Sequence, residues 1–214
     1  MNELHEGTIV AGYGKPLTDA DTAVVMIHGR GDSARGILGL APAFEVEGPA
    51  FVAPEAQNNT WYPQSFMAQT EANEPWLSSA LAAIDQVMDE VQAAGIPPSK
   101  TVLVGFSQGA CLASEYVARN AQRYGGLAVL SGGLIGPEGT PRDYPGSLAG
   151  TPVFLGCSDI DFHIPVDRVH ESAEVLERLG GNVTKRIYPN FGHSVNQDEV
   201  DHVREILLEL TGNQ

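Results

Sequence analysis

Residues 101–109 read TVLVGFSQG, and this stretch predicts a buried strand followed by a sharp turn. Residues 101–104 have the β-branched and apolar side chains typical of a strand covered on both faces. The turn has the pattern G-x-S-x-G, and an apolar helix pattern begins directly after it. Strand, turn and helix in this order predict a nucleophile elbow, in which a tight turn lifts the Ser107 hydroxyl clear of the sheet. Glycine suits the two flanking positions, Gly105 and Gly109, because a Cβ at either would meet the crossing backbone.

The strand and helix patterns around this turn alternate along the whole chain. Strands are predicted at 8–14, 22–27, 50–53, 101–104, 126–130, 151–156 and 183–188. Helices are predicted near 37–40, at 73–94, after residue 109, at 165–179 and at 196–210. This alternation predicts a single α/β domain over residues 1–214, with a mostly parallel sheet and helices on both faces. Functional groups are expected in the loops at the carboxyl ends of the strands.

Composition and charge exclude several classes of partner. The chain has 214 residues, of which 43% are hydrophobic and 18% charged, as in a globular protein. Its net charge of -15 argues against nucleic acid and against anionic membrane surfaces as partners. The polar N-terminus predicts no signal peptide, and no apolar run is long enough to predict integral membrane association. Cys111 and Cys157 are therefore expected to be reduced thiols in a cytoplasmic protein.

A nucleophilic serine needs a histidine base, and in elbow proteins the chain order is serine, acid, histidine. Five of the six histidines are excluded. His5 and His28 precede the serine, and His170 and His202 lie in predicted helices. His163 shares a loop with the candidate acid. His193 remains, between the last predicted strand and the last predicted helix. Gly192 allows this loop to bend toward the elbow, so His193 is the predicted base.

The acid that orients the base is expected after the strand at 151–156. Two carboxylates, Asp159 and Asp161, follow that strand, and both could reach the carboxyl edge of the sheet. Asp167 falls in the first turn of the next predicted helix, where it suits the helix dipole. Residue chemistry alone leaves Asp159 and Asp161 open.

An oxyanion formed during acyl transfer needs two N–H donors. One is expected from the backbone of Gln108, the residue after the serine. The other is expected from the loop after an earlier strand, here HGRG at 28–31, and we assign it to the backbone N–H of Arg30.

Five motifs follow one another along the chain: HGRGDS at 28–33, TWYP at 60–63, GFSQG at 105–109, DFHIP at 161–165 and GH at 192–193. With them the chain resembles the phospholipase/carboxylesterase family of small α/β-hydrolases, which includes the acyl-protein thioesterases. The resemblance implies a Ser107, Asp161 and His193 triad, with oxyanion donors from Arg30 and Gln108. It also implies an α/β-hydrolase fold and a carboxylesterase that cleaves small-molecule esters or thioesters through an acyl-enzyme, without cofactor or metal.

Two residues depart from the family pattern, and because of them the identity of the substrate is not predicted. Arg30 stands where the family usually has leucine, and His163 stands where it has an apolar residue. The irregular segment at 54–75 is also unlike the loops of typical thioesterases, and loops of this length are usually functional. Its aromatic residues are predicted to form a wall of the substrate pocket, or else to pin the loop to the core: Trp61, Tyr62 and Phe66.

Two other functions compete with the serine hydrolase. Asp159, Asp161 and His163 could act as ligands of a metal-dependent hydrolase, although no HxH or HExxH motif is present. Alternatively, the chain could be a non-catalytic binding protein with a hydrolase fold, since residues 30–32 spell the tripeptide RGD. The oligomeric state is open, with a homodimer as one option.

Overall fold

A computed structural model describes residues 4–212, and within that range the chain forms one seven-stranded sheet and five α-helices. The strands are β1 (Ala11–Gly14), β2 (Ala23–Ile27), β3 (Ala50–Ala53), β4 (Thr101–Phe106), β5 (Gly126–Leu130), β6 (Pro152–Ser158) and β7 (Asn182–Tyr188). The helices are α1 (Ala34–Leu38), α2 (Trp76–Ala93), α3 (Gln108–Arg119), α4 (Val166–Arg178) and α5 (Gln197–Thr211). The strand order is β1-β3-β2-β4-β5-β6-β7, and β1 alone of these strands runs antiparallel to its neighbour.

Helices cover both faces of the sheet, as the continuous apolar runs of the central strands predict. On one face, alternate residues such as Val25 and Leu103 pack with α2, α3 and α4. On the other, Met26 and Val104 pack with α1 and α5. Strands β2, β4 and β5 are buried nearly throughout, so they form the rigid centre from which the loops at the carboxyl edge project.

The predicted elements are present, but some of their ends differ. The long helix was expected from residue 73 and begins at Trp76, because Pro75 restricts Glu74 to extended backbone. Residues Thr70–Asn73 form a separate 3-10 turn instead. Strand β6 continues two residues past Gly156 to Ser158, pairing with the far end of β7. Within residues 4–212, no helix is both long and apolar enough to cross a membrane.

The irregular segment at 54–75 is folded against the body of the protein by its own buried residues. Trp61 and Tyr62 are among the largest fully buried side chains. Asn73 fixes the far end of the segment: its Oδ1 accepts from the N–H of Gln64, and its Nδ2 donates to the carbonyl of Ser65. The segment therefore lies over the carboxyl edge of the sheet as an ordered wall.

Candidate active site

Ser107 lies between β4 and α3 with φ 56° and ψ -119°, a strained backbone for a residue with a side chain. Neighbouring glycines make this turn sterically feasible. A Cβ on Gly105 would collide with the carbonyl oxygen of Gly109, and one on Gly109 would collide with that of Ile27. A Cβ on Gly29 would come within 3.3 Å of the Ser107 Cβ. The loop after β2 therefore passes directly beside the serine.

The structure brings Ser107, His193 and Asp161 together in one chain of hydrogen bonds. Ser107 Oγ lies 2.8 Å from His193 Nε2, and His193 Nδ1 lies 2.6 Å from Asp161 Oδ2. An ionised carboxylate only accepts hydrogen bonds, so Nδ1 carries the proton of the neutral ring. Nε2 is then free to accept the proton of the serine hydroxyl.

Asp161 is held by the backbone of its own loop. Its Oδ1 accepts from the N–H groups of His163 and Ile164 at 2.9 and 3.1 Å. Burial by itself would raise the pKa of Asp161, but the hydrogen bonds from His193 and from the two N–H groups outweigh it and lower the pKa below its ordinary value. Asp161 therefore stays ionised at neutral pH. The Cys157 thiol lies 3.8 Å from Oδ2.

Asp159, the other candidate acid, has a different position. Its Oδ1 accepts the N–H of Asn190 at 2.8 Å, which ties the loop after β6 to the loop after β7. A second bond between the same loops runs from the N–H of Gly192 to Ser158 Oγ, at 3.0 Å. These two bonds set the position of the loop that carries His193.

The two residues expected to supply the oxyanion donors, Arg30 and Gln108, border the same cavity as Ser107. Gln108 is the first residue of α3, and the first N–H groups of a helix have no partner inside it. Arg30 lies in the loop after β2, where the next residue, Gly31, donates to the carbonyl of Asn59 at 2.7 Å. The side chain of Gln108 bonds to the backbone of the segment at 54–75: its Oε1 accepts from the N–H of Trp61, and its Nε2 donates to the carbonyl of Tyr62.

A cavity of about 560 Å³ opens beside Ser107. Tyr62 and Phe66 line it together with Cys111 and Ile164; that they contact substrate stays a prediction. Trp61 is not among the lining residues, and its position fits the alternative that it pins the loop to the core. Its ring is fully buried, and its Nε1 donates to the carbonyl of His28 at 2.9 Å, so it supports the loop of the oxyanion donor from behind.

A family model for phospholipase/carboxylesterase matches residues 14–210. The chain belongs to this family. It is therefore a hydrolase of the carboxylesterase class with an α/β-hydrolase fold.

The crystal structure of a phospholipase/carboxylesterase from Dyadobacter fermentans DSM 18053 superposes on this family member with a TM-score of 0.90. The two sequences are 42% identical over 97% of this chain and all of the other. Esterase PE8 gives a TM-score of 0.77 at 25% identity, over 94% and 97% of the two chains. Acyl-protein thioesterase 1 of Debaryomyces hansenii is 25% identical over 94% of each protein. These relatives do not favour a non-catalytic binding protein.

The two residues that depart from the family pattern, Arg30 and His163, both line the cavity. The Arg30 guanidinium donates to three successive carbonyls, of Tyr62, Pro63 and Gln64, at 2.8, 3.0 and 2.9 Å. It thereby fastens the wall to the loop of the oxyanion donor. The His163 ring packs edge-on against His193, with 4.8 Å between the ring centroids. The sequence did not predict these contacts of Arg30. The only signal was that Arg30 stands where the family usually has leucine.

Two histidines excluded as bases prove to support the site. His28 and His5 flank the Trp61 ring, with centroid distances of 5.0 and 5.5 Å. His28 Nε2 accepts from the N–H of Ala56, and His5 Nδ1 accepts from the N–H of Gln57, both at 3.0 Å. A ring nitrogen that accepts carries no proton, so both rings are neutral. Burial lowers the pKa of each.

In the folded chain, the carboxylates proposed as metal ligands are engaged in other hydrogen bonds. Asp161 is engaged by His193 and by two backbone N–H groups, while Asp159 bonds to Asn190. Across residues 4–212, no group of three or more histidine, cysteine, aspartate or glutamate side chains is placed to hold a metal ion. A metal-dependent hydrolase is not favoured.

Proposed function

We propose that the chain hydrolyses carboxylic esters or thioesters of small molecules through an acyl-enzyme formed on Ser107. One observation carries this proposal. Hydrogen bonds join Ser107 Oγ to His193 Nε2, at 2.8 Å, and His193 Nδ1 to Asp161 Oδ2, at 2.6 Å, and Ser107 and His193 both line the cavity. Relatives named esterase and acyl-protein thioesterase support both classes of substrate.

In the first half of the reaction, Ser107 Oγ attacks the carbonyl carbon while His193 Nε2 takes the hydroxyl proton. The carbonyl oxygen becomes an oxyanion, which accepts hydrogen bonds from the N–H groups of Gln108 and Arg30. When the intermediate collapses, the bond to the leaving oxygen or sulfur breaks and His193 returns the proton to that atom. Asp161 stabilises the imidazolium and keeps the ring oriented.

In the second half, His193 takes a proton from a water molecule, and the resulting hydroxide attacks the acyl carbon. The bond to Ser107 Oγ breaks, the serine recovers its proton from His193, and the carboxylic acid leaves. The serine proton leaves with the leaving group and a proton from water replaces it, so the cycle consumes one water molecule and needs no redox partner.

The proposal extends to the setting of the reaction. Cys111 and Cys157 are free and buried, which suits a cytoplasmic enzyme in a reducing compartment. The net charge of -15 disfavours nucleic acid and anionic lipid surfaces as partners. A homodimer stays a prediction.

The first test removes the nucleophile. Ser107→Ala should lose on the order of 10⁶ in kcat toward p-nitrophenyl esters, the scale seen when a triad serine is removed. A serine-directed phosphonate should add one adduct, located at Ser107 by peptide mass spectrometry. Ser65→Ala is the matched control because Ser65 also lines the cavity, and it should keep both activity and labelling. Full activity in Ser107→Ala, or an adduct elsewhere, would refute the proposal.

A further inference from the structure

The two residues expected to supply the oxyanion donors also bond through their side chains to one stretch of the wall, residues 61–64. The Arg30 guanidinium donates to the carbonyls of residues 62, 63 and 64 at 2.8, 3.0 and 2.9 Å. Gln108 Nε2 donates to the carbonyl of Tyr62 at 2.8 Å. The Tyr62 carbonyl therefore accepts hydrogen bonds from both side chains.

This stretch of the wall is itself fixed by burial and by a hydrogen bond. The side chains of Trp61 and Tyr62 are 0% and 1% exposed. The N–H of Gln64 donates to Oδ1 of the buried Asn73 at 2.8 Å. A group that bonds to the carbonyls of this stretch is therefore positioned relative to the core of the protein.

The loop after β2, which carries the Arg30 N–H, is shaped by bonds within itself. Its Gly29 carbonyl accepts from His28 Nδ1 at 2.7 Å and from the N–H of Asp32 at 3.2 Å. Gly29 and Arg30 share one peptide unit, so these bonds orient the Arg30 N–H within the loop. They do not fix its distance from the N–H of Gln108, which lies on helix α3.

Bonds between this loop and the wall set that distance. The N–H of Gly31 donates to the carbonyl of Asn59 at 2.7 Å. The Arg30 side chain adds a link of a different kind, because it meets the side chain of Gln108 at the Tyr62 carbonyl. Separation of the two donor residues would stretch or break one of these bonds.

The spacing of the two donors matters because an oxyanion is fully stabilised only when both N–H groups point at the developing charge. Removal of one donor costs about 10²–10³ in kcat. A displacement of about 1 Å costs up to about 10²-fold. A side chain that fixes this spacing therefore increases the rate without contacting the reacting atoms.

We propose that Arg30 acts through its side chain as a positioning residue of the oxyanion hole, and that it fixes the spacing of the Arg30 and Gln108 N–H groups through the shared Tyr62 carbonyl. This inference rests on the proposed function of Ser107. Leucine, the usual family residue at this position, has no side-chain donor and cannot form the link.

The test replaces Arg30 by methionine, which keeps a long side chain, removes its donors and leaves the backbone N–H in place. Because the other bonds of the loop remain, Arg30→Met should fold. It should lose roughly 10–100-fold in kcat/KM toward p-nitrophenyl butyrate, which is less than the loss of a whole donor. Arg30→Lys should recover part of this loss, because its ammonium group can still donate to a carbonyl.

A second measurement separates positioning from pocket shape. Hexyl trifluoromethyl ketone adds to a nucleophilic serine and forms a tetrahedral oxyanion, whereas the corresponding secondary alcohol cannot. Arg30→Met should weaken inhibition by the ketone by the same factor as kcat/KM, because both depend on the oxyanion hole. Inhibition by the alcohol should not change.

Arg204→Met is the matched control for stability. Arg204 also donates to two successive carbonyls, of Ala43 and Phe44, and none of these three residues lines the cavity. This variant should have a lower melting temperature, with kcat/KM and inhibition by the ketone unchanged.

Three results would overturn the inference. Unchanged kcat/KM and ketone inhibition in Arg30→Met, with turnover dependent on Ser107, reject the positioning role alone. An equal loss of inhibition by ketone and alcohol assigns Arg30 to the shape of the pocket instead. Absence of Ser107-dependent turnover for every ester rejects both this inference and the proposed function. The same measurements on Arg30→Lys decide the case if Arg30→Met does not fold.

Discussion

On one side of the cavity, the loops at 28–33 and 54–66 bury their aromatic side chains, whereas the loops at 158–164 and 188–195 leave theirs exposed or half-buried. We call the first pair the oxyanion side and the second pair the acid–base side. His28 and Trp61 are 0% exposed, while Phe162 and Phe191 are 81% and 40% exposed. Both sides contribute residues next to Ser107, yet different interactions hold them.

This difference follows from what each side must present. The acid–base side presents side chains, and a few hydrogen bonds between adjacent loops are enough to orient them, such as those of Asp159 and Ser158. The oxyanion side presents backbone N–H groups, which can be positioned only by fixing the backbone itself. Buried side chains from distant parts of the chain pack against this backbone and fix it. Substitutions on the acid–base side should therefore change kcat, and those on the oxyanion side should also change stability.

The largest effect is expected on the acid–base side. Asp161→Asn should lose on the order of 10⁴ in kcat, because an amide favours the wrong tautomer of His193 and does not stabilise the imidazolium. Circular dichroism should show a folded protein. Asp159→Asn is the matched control, since an amide oxygen can still accept from Asn190. It should change kcat little, and the opposite ranking of the two variants would make Asp159 the acid.

On the oxyanion side, Trp61→Ala should lower the free energy of unfolding by about 3–5 kcal/mol, the cost of truncating a buried tryptophan. Urea denaturation measures this loss. Because Trp61 does not line the cavity, the remaining activity should fall by one factor across esters of all acyl lengths. Phe66→Ala should behave differently: Phe66 lines the cavity, so the preference for acyl length should change. A length-dependent effect of Trp61→Ala would mean that the tryptophan contacts substrate.

The smallest effect is expected from pH. His5 and His28 are neutral when folded, and their pKa values are lowered from the ordinary 6.5. Below pH 6.5 the unfolded chain binds protons that the folded chain does not, so stability should fall as pH decreases below that value. His28→Gln should reduce this dependence, measured as the difference in melting temperature between neutral and mildly acidic buffer.

Glu199 contributes to the same pH range with the opposite sign. Burial raises the pKa of Glu199 from 4.5 to about 7, so the folded chain binds a proton that the unfolded chain has lost. Its contribution to stability therefore falls as pH rises through this interval. Glu199→Gln keeps the hydrogen bond from Asn196 and removes the titration, so it should make the loss of stability in acid steeper. A shallower dependence in this variant would contradict the assignment.

The sequence alone determined the features that depend on neighbouring residues. Gly105 and Gly109 predict the elbow because the steric conflict they avoid is set by local backbone geometry. Apolar runs predict the strands, and parallel strands bring their carboxyl ends to one edge, so the loops that hold Ser107, Asp161 and His193 were expected to meet. Element ends were less certain; Pro75, for example, shifts the start of α2 by three residues.

Only the tertiary structure decided which side chains touch. It placed Asp161 against His193 and Asp159 against Asn190, although both carboxylates follow the same strand. It also placed His5 against Trp61, 56 residues away in sequence. Contacts of this kind depend on the path of the loops and on the packing beneath them, because burial is a property of the whole chain. No local pattern distinguishes a tryptophan that lines a pocket from one that supports the loop behind it.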